Sequence, residues 1–105
     1  MYLTNAFSLN MIADGEFPCA AHFEEIPVAE AIDLARTGES AVGHPDTAAV
    51  FTAVLAVEVP VNRATIALKK GDRVLVGQYR GPRLSEGAKT LPEGATIGWY
   101  LVVVN

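Results

Sequence analysis

The C-terminal stretch Ile97-Gly98-Trp99-Tyr100-Leu101-Val102-Val103-Val104 is apolar at consecutive positions, and it constrains the fold more than any other part of the chain. It is about half of the ~20 residues that cross a bilayer as a helix, so it does not span a membrane. Rich in β-branched and aromatic side chains and without polar alternation, it reads as a central strand covered on both faces. Trp99 and Tyr100 are adjacent in that strand and therefore face opposite ways, both as parts of the core.

The rest of the chain supplies what such a strand needs. Tyr2 to Thr4 starts a short strand, and Ala20 to Ile26 forms a second. Pro27 suits a helix N-terminus, and Val28, Ala31, Ile32 and Ala35 share one helical face before Thr37 and Gly38 end the segment. A second helix begins after Gly43-His44, with Pro45 at its first position, Asp46 complementing its positive end, and Val50, Phe51, Val54 and Leu55 at helical spacing. Thr65 to Leu68 and Arg73 to Tyr79 alternate around Lys70-Gly71-Asp72, which predicts a hairpin. Residues 81–96 form an extended loop. The order β, β, α, α, β, β, β predicts an α+β (α/β) fold, a mixed sheet of about five strands with helices packed against it.

A chain of 105 residues, 50% of them hydrophobic and 19% charged, is a single folded domain over residues 1–105 rather than a disordered segment. The net charge of −4 argues against a protein that coats DNA. The charge is unevenly spread, however. Residues 1–58 hold nine acids and one base, net −8, and residues 59–105 hold seven bases and three acids, net +4. A local anion site is compatible with that split. The N-terminus has no basic segment ahead of an apolar run, which predicts no secretory leader and a cytoplasmic location. Cys19 is the single cysteine and reads as a small buried apolar residue, so no disulfide and no zinc set is expected.

Three places could carry chemistry. Asn5, Ser8 and Asn10 gather short polar side chains that could hold a ligand or form turns on their own backbone. His44, beside a helix start, is either a plain cap or a proton donor and phosphate contact, because an imidazole titrates near neutral pH and backbone N–H groups there favour anions. Arg80-Gly81-Pro82-Arg83-Leu84-Ser85-Glu86-Gly87 puts two guanidinium forks suited to phosphate and one carboxylate into one loop, where Glu86 could equally pair with Arg83. Asn62-Arg63 precedes a strand, and His22 reads as a surface residue. No GxxxxGK, GxGxxG, nucleophile-elbow or HExxH motif occurs.

These places occur in order in a known family. The segments Tyr2-Leu3-Thr4-Asn5-Ala6-Phe7-Ser8-Leu9-Asn10-Met11, Ala41-Val42-Gly43-His44-Pro45-Asp46-Thr47, Asn62-Arg63 and Arg83-Leu84-Ser85-Glu86-Gly87 resemble the small viral ring nucleases that act as anti-CRISPR proteins against type III systems. Pro45-Asp46 stands where that family has an Asp-Ser pair. The resemblance implies a homodimer that binds cyclic tetra-adenylate and cuts it, with no metal or cofactor, into linear di-adenylates. It implies His44 as general acid and Glu86 as a glutamate that assists catalysis, orienting either the ribose hydroxyl or His44. Arg83 and Arg63 would contact phosphate, Asn5, Ser8 and Asn10 would hold ribose and phosphate, and Gln78 would contact a base. Two other classes compete with this one: a dimer that grips RNA, DNA or a cyclic nucleotide without cutting, and a structural protein of a virus or mobile element. A titrating imidazole and a carboxylate separate cleavage from simple anion binding, which needs neither.

Overall fold

The computed structural model describes residues 1–105 and contains β1 (Tyr2–Thr4), β2 (Ala21–Ile26), α1 (Val28–Thr37), β3 (Glu39–Ser40), α2 (Pro45–Leu55), β4 (Arg73–Arg80) and β5 (Thr96–Val104). The five strands form one mixed sheet in the order β2-β5-β4-β1-β3. β1 runs parallel to both β3 and β4, while β5 is antiparallel to β4 and β2. The expected α+β class and five-stranded mixed sheet are both present. No helix is long and apolar enough to cross a membrane.

β5 lies inside the sheet with both faces covered. Trp99, Ile97 and Leu101 join the core beneath the two helices, while Tyr100, Val102 and Val104 join a second core on the other face. The helical layer sits on the first face, where Ala31 and Ala35 of α1 and Ala48, Phe51 and Leu55 of α2 are buried. Small residues on α1 bring its backbone close. At the centre, Phe51 meets Trp99 edge to face with ring centroids 5.0 Å apart, and both rings lie over Gly77 of β4. The second face has no α-helix. Coil segments and the short 3-10 turn Leu9–Met11 cover it instead, contributing Ile66 and Leu68 with the partly buried Phe7, Met11 and Cys19.

Three expectations differ from the structure. Lys70-Gly71-Asp72 does make a turn, with Gly71 at φ +97, but residues 65–68 do not pair back with β4 as a hairpin. Both edges of β4 are occupied, by β1 and β5, so Leu68 pairs with Ile12 instead and Ile66 and Leu68 are buried on the second face. The expected element order also lacks β3, whose two residues Glu39 and Ser40 are held by pairing with Tyr2 and Leu3. Cys19 is half-buried rather than fully buried.

Candidate functional site

Because β1, β3 and β4 are mutually parallel, the segments that follow them leave the sheet at the same end. Ligand clefts of α/β sheets form outside these carboxyl ends. Asn5 follows β1, the segment after β3 leads to His44, and β4 runs into the loop that carries Arg83 and Glu86. These four side chains, with Asp46, Thr47, Tyr79, Gly81 and Leu84, line one cleft of about 750 Å³. Neither local periodicity nor spacing brings them together. The sheet does.

His44 is the N-cap of α2, with Pro45 at the first helical position. Its Nδ1 accepts the Thr47 N–H at 3.4 Å, so in the neutral ring the proton resides on Nε2. The cap thus leaves Nε2–H as the ring's available donor, at a helix end whose backbone favours anions.

The segment leading to His44 is braced from behind. The Ser40 hydroxyl donates to the Pro60 carbonyl at 2.6 Å and accepts the Val42 N–H at 3.2 Å. Asn62 donates from its backbone to the Val42 carbonyl at 2.9 Å and from its side-chain amide to the Ser40 carbonyl at 2.7 Å. Arg63 packs on Gly43 and donates from Nε to its carbonyl at 3.2 Å. Arg63 therefore stands behind the residue before His44 and does not line the cleft.

On the other wall, Arg83 and Glu86 are exposed and form no ion pair with each other, since the molecule's single ion pair is Arg36–Asp33. Both charges are free to meet a ligand. Gly81 adopts φ +157, and a Cβ there would lie 2.6 Å from the Cβ of Ala95, so glycine closes the neck of this loop. The Tyr79 hydroxyl donates to the Pro82 carbonyl and holds the loop's first turn.

The remaining expected site residues lie elsewhere on the protomer. Ser8 and Asn10 are exposed in the 3-10 turn that ends at Met11. Gln78 lies on the opposite face of the sheet from Tyr79 and lines a second groove with Phe7, Phe23, Arg80 and Tyr100. Sequence reasoning missed Tyr79 as a wall of the cleft, although strand alternation around Gln78 carried the signal. It took Asp46 for a helix-end charge only. Its carboxylate also accepts the Gly87 N–H at 3.0 Å, a contact across 41 residues with no local signature.

Comparison with known proteins agrees with the fold that carries this cleft. B116 of Sulfolobus turreted icosahedral virus superposes with a TM-score of 0.80 at 26% identity, covering 97% of each chain. The protein designated "Uncharacterized protein 26" of Sulfolobus islandicus filamentous virus is 35% identical over 112 residues, spanning 100% of this chain and 92% of the relative. The STIV B116-like family matches residues 1–101, and the chain belongs to that family.

Proposed function

We propose that the protein is a metal-independent ring nuclease that binds cyclic tetra-adenylate between two copies of the chain and cuts it into linear di-adenylates, silencing type III CRISPR signalling. The observation that carries this function is the convergence of His44, Arg83, Glu86 and Asn5, from three separate segments, on one cleft at the carboxyl ends of parallel strands. Clefts of about 300–1,000 Å³ hold ligands of drug size, and a ring of four nucleotides is larger, so a cleft of about 750 Å³ takes part of it. A second copy related by a two-fold axis supplies the other part and a second set of the same groups. Ser8, Asn10 and Gln78, which lie outside the cleft of one protomer, would meet the ring only in that assembly, whereas Arg63 would act by bracing the segment that carries His44.

In the reaction a ribose 2′-oxygen attacks the adjacent phosphorus while the bond to the 5′-oxygen breaks, leaving a 2′,3′-cyclic phosphate and a 5′-hydroxyl. Glu86 accepts the 2′-hydroxyl proton, and Arg83 stabilises the charge gathering on the phosphate oxygens. His44 protonates the departing oxygen from Nε2. It does so as the imidazolium, in which Nδ1 also carries a proton and the cap on Thr47 is released, so capping and acid catalysis use different protonation states of one ring.

Incubation with cyclic tetra-adenylate in EDTA, with products resolved by chromatography, tests the proposal. Linear di-adenylates are expected, and His44→Ala is expected to cut about 10²–10⁴-fold more slowly with binding retained. A ring bound but intact after long incubation at enzyme excess refutes the nuclease and leaves a binding protein. A ring cut equally fast by His44→Ala refutes the assignment of the acid alone.

A further inference from the structure

Arg83 and Glu86 ride on residues 81–95, which contain neither helix nor strand. The two ends of this loop are fixed where Arg80 pairs with Thr96 and where Gly81 abuts Ala95. Between them the chain bonds to itself, with the Ala88 N–H donating to the Ser85 carbonyl at 3.0 Å, and no side chain from Pro82 to Gly94 is buried. One hydrogen bond joins this stretch to the helical layer: Gly87 N–H to Asp46 Oδ1, at 3.0 Å. Gly87 makes it from φ +80 with open space around its Cα, so the backbone conformation, not crowding, calls for glycine.

The geometry points to a latch in which Asp46, by holding the Gly87 N–H, sets Glu86 and Arg83 across the cleft from His44. Asp46 is then a positioning residue, and the catalytic part of the inference rests on the function proposed above. The linkage is short. His44 is two residues before Asp46, and Glu86 is one before Gly87, so two brief covalent segments and one charge-assisted hydrogen bond connect the catalytic pair. Pro45 stiffens the first segment by fixing its own φ. A loop released from Asp46 would carry the carboxylate and guanidinium away together, and a misplacement of ~1 Å at a reacting centre costs on the order of 10²-fold in rate.

A competing role for Asp46 is that of a negative charge on the helix N-terminus and nothing more. The two roles separate through Asp46→Asn, which removes the charge but keeps an oxygen that accepts the same N–H. Amide exchange of the full chain by NMR, beside steady-state cleavage of cyclic tetra-adenylate, makes the test. In Asp46→Ala the Gly87 amide is expected to exchange roughly tenfold faster or more, while amides from Val50 to Leu55 in α2 keep their native rates. The same variant should lose roughly 10–10²-fold in kcat, with a smaller rise in KM. Asp46→Asn should stay within about threefold of the native enzyme in all three. Native exchange at Gly87 in Asp46→Ala, or an equal loss in Asn and Ala variants, overturns the latch. If the native chain leaves the ring intact, the nuclease is refuted, and exchange at Gly87 still decides whether the latch exists.

Discussion

Gly77→Ala perturbs the point where helix, sheet and site meet. A Cβ at this position would lie 2.5 Å from Trp99 Cζ3 and 2.7 and 2.9 Å from two Phe51 ring carbons. Carbon atoms in contact prefer about 3.5–4.0 Å, so each contact is short by roughly 0.6 Å or more. Neither ring can step aside, because Phe51 is 0% and Trp99 3% exposed and each blocks the other. The strain must instead lift α2 from β4. Overpacking of this kind costs about 1–3 kcal/mol, and the crowding on both rings argues for the upper end. Alanine recovers about 0.5–1 kcal/mol relative to glycine in a strand interior. A net loss of about 2 kcal/mol remains, or a Tm lower by about 8–16 °C for a domain of this size. Urea unfolding followed by Trp99 fluorescence measures it. Phe51→Leu removes the ring atoms that clash, so the double variant should be more stable than the sum of the two single losses. A Gly77→Ala protein within about 0.5 kcal/mol of native, or a cycle without coupling, would show that the helix does not rest on this glycine as described. Since α2 carries His44 at its start, the same substitution should also slow any ring cleavage.

Two further outcomes follow from the bracing of the sheet. Ser40→Ala leaves the buried Val42 N–H without its partner and should cost about 1–3 kcal/mol, read as a shift in the urea midpoint with unchanged m. The Tyr2 phenol is raised above its usual range, first by its hydrogen bond to Glu39, then by that carboxylate's charge and by desolvation. The protonated phenol is the form favoured by folding. Its stabilisation is therefore complete below the unfolded value near 10 and lost as pH rises through the higher folded value. Tyr2→Phe should remove that alkaline slope in a stability titration.

Much of the frame was legible because it is written in local signals. Pro27 and Gly38 bracket α1, Gly43-His44-Pro45 opens α2, and the unbroken apolar run from Ile97 onward marks β5. β3 was not legible, since Glu39-Ser40 has no pattern of its own and exists only by pairing with β1. The failed hairpin has the same origin. Alternation shows that residues 65–68 present one face, but not that Ile12 takes the pairing. At the site, the residue types that suit phosphate chemistry could be picked out one by one. The Asp46–Gly87 contact could not, because its partners are bound by tertiary folding alone.

The sheet order also governs when the molecule can come into being. β1 precedes every other element described, yet one of its two partners, β4, begins at Arg73, and β2 pairs with β5, which ends at Val104. A growing chain on the ribosome can form α1 and α2 but has no complete sheet to dock them on until β5 is released. Folding dominated by such distant pairings is slow, on the scale of milliseconds to seconds, and exposes unpaired strand edges meanwhile. The cleft shares this timing. Asn5, His44 and Glu86 meet only after the sheet closes, so a half-made chain carries no partial site, and the cleft appears in one step with the finished fold.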